Sequence, residues 1–117
     1  MPTIRDLVAA LRQREGVDAA VVLGRDGLLI DSQVAPTIDA EGVAALIPAI
    51  IGAADELGAH IGRGTANTAV LEYQDGIAIV SVLSNEAMLL VLAQSSANTG
   101  KLLYELRRHR EHIAALM

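Results

Sequence analysis

The chain has 117 residues, a net charge of −5 and no cysteine. It is read as a single domain over 1–117, with disulfides, thiolate metal sites and cysteine nucleophiles excluded. Hydrophobic residues make up 52% and charged residues 20%, with a mean hydropathy of +0.41, more apolar surface than one small core hides, so a membrane or a partner must take the surplus. The acidic balance, the lack of Trp and Phe, and only Tyr73 and Tyr104 as aromatics argue against nucleic acid, which wants a basic footprint and stacking platforms.

In chain order, 3–15 reads as a helix. Thr3 and Asp6 form a weak capping-box pattern, and Ile4, Leu7, Val8 and Leu11 share one face. Gly16 is the expected stop. Val17 to Leu23 and Leu28 to Gln33 read as strands joined by Gly24-Arg25-Asp26-Gly27, a hairpin signal. Pro36 breaks the chain, and Asp39 sits where an N-cap belongs. A second helix is expected from Ala40 to Ile61, ended by glycines. Three strands follow at Thr65–Tyr73, Gly76–Leu83 and Glu86–Gln94, with turns so short that neighbours must be antiparallel. A last helix is expected from Ser96 or Ala97 to Leu116. The fold class is therefore α/β (α+β), order α-β-β-α-β-β-β-α, with a five-stranded antiparallel-rich sheet and helices on both faces.

The second helix carries the main functional signal. Its run without a polar side chain, Gly42 to Ala54, is shorter than the roughly 20 residues of a membrane span, so no span is expected. Nor does the N-terminus read as a signal sequence, since Arg5 and Asp6 fall in the first amphipathic turn. Val43, Leu46, Ile47, Ile50, Ala54, Leu57 and Ile61 form the stripe expected to pack on the sheet. A second stripe, Ala45, Ala49, Gly52 and Ala53 leading to Glu56 and His60, is made of small residues that let another helix approach closely. Either the helix is sandwiched inside the domain, or, since a two-layer fold of this length has no second layer to cover that stripe, it is covered by a second copy; the latter reading, a homodimer, is favoured. Pro48 inside the helix predicts a kink.

No catalytic or metal-binding constellation stands out, and no cofactor is expected. Gly100-Lys101 lacks the preceding glycine and the following Ser or Thr of a phosphate-binding loop. His109 and His112 are spaced for a shared metal but read as a solvated helix end. The cluster Arg107, Arg108, Arg110 reads as favourable charge near a helix C-terminus, or as a docking patch for an acidic surface.

Taken together, Gly16-Val17-Asp18-Ala19-Ala20-Val21-Val22-Leu23, Arg25-Asp26-Gly27-Leu28, the apolar helix after Asp39, Gly62-Arg63-Gly64, Thr68 to Glu72, Asp75-Gly76, Leu90-Val91-Leu92-Ala93, Ala97-Asn98-Thr99-Gly100 and Tyr104-Glu105 resemble the roadblock/dynein light-chain family, in its bacterial, MglB-like form. The resemblance covers nearly the whole chain. It implies a roadblock fold related to longin domains. It also implies a homodimer in which second helices pack together and third strands pair into a continuous sheet. Carried onto this sequence, the interface would be Ala45, Ala49, Gly52 and Ala53 with Thr68, Val70 and Glu72. It further implies a non-catalytic, cytoplasmic adaptor or regulator of a Ras-like small GTPase, with no arginine finger supplied by Arg63. Partner-binding positions would be Glu41, Asp55, Glu56 and His60. The alternatives are a scaffold for a larger complex without a GTPase and a small-ligand sensor.

Overall fold

The β-branched and aliphatic runs of the sequence form one five-stranded sheet: β1 (Val17–Gly24), β2 (Leu29–Val34), β3 (Thr68–Tyr73), β4 (Gly76–Val82) and β5 (Ala87–Ala93). Their order is β2-β1-β5-β4-β3, and every neighbouring pair is antiparallel. The computed structural model describes residues 3–95, 97–108 and 110–116. The central strands β1 and β5 are buried along almost their whole length. This is why they read as continuous apolar runs rather than alternating ones: both faces of the sheet are covered.

Alternation along the strands divides the core in two. Ala20, Val22, Ile79, Leu89 and Val91 point to one face, where they meet Val8 and Leu11 of α1 (Ile4–Arg12), Leu102 and Leu106 of α3 (Thr99–Arg108) and Ile113 of α4 (Arg110–Ala114). Ala19, Val21, Leu23, Val80, Met88 and Leu90 point to the other, where they meet Ala44, Ile47 and Ile51 of α2 (Ala40–His60). Three helices cover one face and a single helix covers the other.

Local chemistry sets the helix ends. Thr3 and Asp6 close the expected capping box, each side chain accepting from the other's backbone N–H. α1 stops at Arg12, earlier than expected. Gly16 does not end the helix; its φ of 83° turns the chain into β1. Asp39 caps α2 by accepting from the Gly42 N–H at 3.2 Å. α2 ends in a Schellman motif: Gly62, at φ 69°, donates to the Ala59 carbonyl and Arg63 to that of Gly58. The last helix differs from expectation. Asn98 caps it, its side chain accepting from the Lys101 N–H at 3.0 Å, so α3 begins at Thr99, and the segment to 114 is two helices. Ser96 and His109 lie outside the described residues.

Whole, α2 is long and apolar enough to cross a membrane by length and composition, beyond what its charge-free run alone suggests. Ala44, Ile47 and Ile51 nevertheless hold it on the sheet. Gly27, at φ 85°, presses the β1–β2 turn against it: a Cβ there would lie 3.2 Å from Pro48 Cγ and 3.4 Å from Ala45 Cα.

Candidate protein interaction surface

The sheet-facing line of α2 is Ala44, Ile47 and Ile51, flanked by half-buried Val43 and Ile50. This corrects the expected stripe. Leu46, Leu57 and Ile61, assigned there to the sheet, are 66%, 62% and 56% exposed. At 3.6 residues per turn, Leu46, Ala49, Ala53, Leu57 and His60 fall roughly opposite the buried line. Ala45, Ala49, Gly52 and Ala53 are all exposed, and a Cβ at Gly52 would meet nothing within 4 Å. The outer face is thus a small-residue floor with Leu46 and Leu57 standing on it. No lysine or arginine occurs anywhere between Ala40 and His60.

The sheet has two edge strands, β2 and β3. β3 bonds to β4 alone, which leaves its other row of backbone groups open to a further strand. Ala69 and Leu71 point to the α2 side and are only half buried. Thr68, Val70 and Glu72 point to the opposite side. Val70 and Glu72 are exposed, while the Thr68 hydroxyl accepts from Arg110 Nη2 at 2.8 Å.

The four charged or titratable positions at the helix ends separate into two kinds. Glu41, Glu56 and His60 are exposed. Asp55 is half buried and engaged: one oxygen accepts from the Ala66 N–H at 2.6 Å, and the other lies 3.9 Å from Arg25 Nη2. It pins the loop that carries the chain from α2 to β3, a long-range contact with no signature in the sequence. Sequence reasoning also missed Leu46 and Leu57 as surface residues. Their exposure follows from which side of an all-round apolar helix meets the sheet.

A family model described as the Roadblock/LC7 domain matches residues 3–93. The chain belongs to that family. An uncharacterised protein of Methanocaldococcus jannaschii is 36% identical to this Roadblock/LC7 chain over 106 residues, 91% of this chain and 92% of the relative. Among solved structures, Myxococcus xanthus MglB superimposes with a TM-score of 0.87 over 97% of this chain and 93% of its own, at 16% identity, a likeness of fold alone. A Roadblock/LC7 domain from Streptomyces avermitilis superimposes with a TM-score of 0.85 at 25% identity over 97% of both chains. The roadblock/longin-like architecture expected from the sequence is the one observed.

The largest of the described cavities lies elsewhere. A groove of about 410 Å³ opens between α1 and α3–α4, lined by Leu7, Leu11, Leu102, Leu106 and Ile113 among others. Arg14 and Glu105, which also line it, form an ion pair with each other. With Arg14 and Glu105 paired to each other and its walls mostly aliphatic, the groove offers few polar groups to orient a small ligand.

Proposed function

We propose that this Roadblock/LC7 domain is a cytoplasmic, non-catalytic homodimeric adaptor that binds a Ras-like small GTPase. The observation that carries the dimer is the outer face of α2. Leu46 and Leu57 stand exposed on a floor of Ala45, Ala49, Gly52 and Ala53, in a helix without a single lysine or arginine. Leaving apolar surface wet costs about 25 cal/mol per Å². A few hundred Å² covered by a second α2 would contribute several kcal/mol before the entropy of association is subtracted. The open edge of β3 supports a second, hydrogen-bonded contact through Thr68, Val70 and Glu72, since two copies related by a two-fold axis present the same edge to one another.

The GTPase rests on the resemblance to bacterial roadblock proteins. In this reading a dimer brings two copies of Glu41, Glu56 and His60 to one surface, and Asp55 shapes it from beneath through its bond to Ala66. Regulation would act by placing or reshaping the partner, with Arg63 in the helix-ending turn rather than in a catalytic role. The test is a pull-down with Ras-like GTPases of the same genome, loaded with GTP or GDP. Nucleotide-dependent retention supports the adaptor. A dimer that retains none of them in either state leaves scaffolding without a GTPase as the function.

A further inference from the structure

One end of the sheet, where β1 and β4 finish and β3 and β5 begin, gathers Arg25, Arg107 and Arg110, which neither the dimer nor the GTPase reading uses, around Thr68 and Asp55, which they do. Two adjoining cavities open there and share Asn67 and Arg110. One, of about 290 Å³, is lined also by Arg25, Asp55, Thr65 and Asn85. The other, of about 380 Å³, is completed by Thr68 and Arg107. The residues come from separate parts of the chain: the β1–β2 turn, α2, the α2–β3 loop with the start of β3, the β4–β5 turn and the C-terminal helices.

Arg110 is the centre of this arrangement. Its Nη2 donates to the Thr68 hydroxyl at 2.8 Å, which ties the guanidinium to the start of β3. Its Nε is buried and has no acceptor among the described residues. That Nε–H is closed to solvent, so an oxyanion in the cavity would be met by the terminal Nη groups, and a planar donor fork is the group that oxyanions match best. The local charge agrees: Arg25, Arg107 and Arg110 against Asp55 leave two positive charges, in a chain whose total is −5. Asn67, Asn85 and Thr65 add neutral donors around the same space.

We infer that these cavities form a binding site for a dianionic, phosphate-type oxyanion centred on Arg110. A tetrahedral dianion accepts from more directions than a planar carboxylate and balances the two positive charges. Both features favour phosphate over an acidic side chain. The site borders the proposed β3 pairing edge through the Arg110–Thr68 bond, but Arg25, Arg107 and Arg110 belong to neither α2 nor β3.

The experiment follows the arginine Nε–Hε signals of the full chain by NMR. Inorganic phosphate, glycerol phosphate, acetate and chloride are titrated separately at constant ionic strength, with the melting temperature measured in parallel. Inorganic phosphate is expected to move the Arg110 signal saturably and to raise the melting temperature. Losing one charge-assisted hydrogen bond should weaken the phosphate affinity roughly tenfold or more, read from the melting temperature in Arg110→Gln and from both readouts in Arg25→Gln. Arg25→Gln leaves the Arg110–Thr68 bond intact and serves if Arg110→Gln folds poorly. Saturation by glycerol phosphate too identifies a phosphorylated small molecule as the source; saturation by inorganic phosphate alone identifies the free ion. An acetate response equal to that of phosphate, or an undiminished phosphate response in both variants, overturns the site.

Discussion

The two faces of the sheet are finished differently. On one, α1, α3 and α4 bury Val8, Leu11, Leu102, Leu106 and Ile113 and turn Arg5, Lys101, Arg107 and Arg108 outward; Tyr104 is their one exposed large hydrophobic residue among those described. On the other, α2 buries three residues and leaves Leu46 and Leu57 in solvent on a helix without lysine or arginine. A helix that is apolar all round is a buried helix. α2 has the sequence of a helix between two layers and, in the single chain, the environment of a helix on one. The difference teaches that apolar excess is informative only once it is located: here its largest share lies on one helix, with the rest at the two sheet edges, Leu28 and Ile30 at one and Val70 and Tyr73 at the other, and at Tyr104.

That contrast can be broken or sharpened by substitution. Replacing Ile51 by Ala, on the sheet side of α2, should cost about 2–5 kcal/mol, measured by urea denaturation. The nearby outward position Ala49 should behave oppositely. Ala49→Glu is expected to keep the far-ultraviolet circular dichroism of a folded chain while shifting the dimer to monomer in sizing with light scattering, whereas Tyr104→Glu on the other face should leave the mass unchanged. Gly58 tests the path from α2 to β3. A Cβ there would come within 2.0 Å of the Gly64 carbonyl oxygen, so Gly58→Ala should destabilise by about 1–3 kcal/mol, read as a lowered denaturation midpoint. A smaller effect, about 1 kcal/mol, is expected for Asp39→Ala, which removes the cap on the Gly42 N–H. Its size should match that of Thr3→Ala on the opposite layer if caps act locally.

Most of the fold was legible because its signals are short-range. The Asp26-Gly27 turn, the Asp39 cap and the aliphatic strands each declare themselves within a few residues. The misreadings have separate causes. In α2, apolar residues on every side left periodicity unable to choose a sheet-facing line, so Leu46, Leu57 and Ile61 were assigned inward; only packing against Val21, Val80 and Leu90 decides it. The start of β3 was placed at Thr65 rather than Thr68 because the intervening loop is held by Asp55, distant in sequence. The same bond gives Asp55 a structural task where the sequence suggested a surface one. Asn98 carried a cap signal of its own, and the earlier Ser96 and Ala97 drew the helix start too far back.

Both contacts proposed for the second copy can be read together. Amides of Thr68–Tyr73 not bonded to β4 should exchange slowly in the dimer and fast in Ala49→Glu. The most direct test is the solution mass of the unmodified chain at micromolar concentration. A homodimer through α2 predicts twice the 12.2 kDa chain mass, falling to the single-chain value in Ala49→Glu. A monomeric wild type, or an Ala49→Glu variant that remains a dimer, would contradict the assignment of the outer face of α2 as the interface.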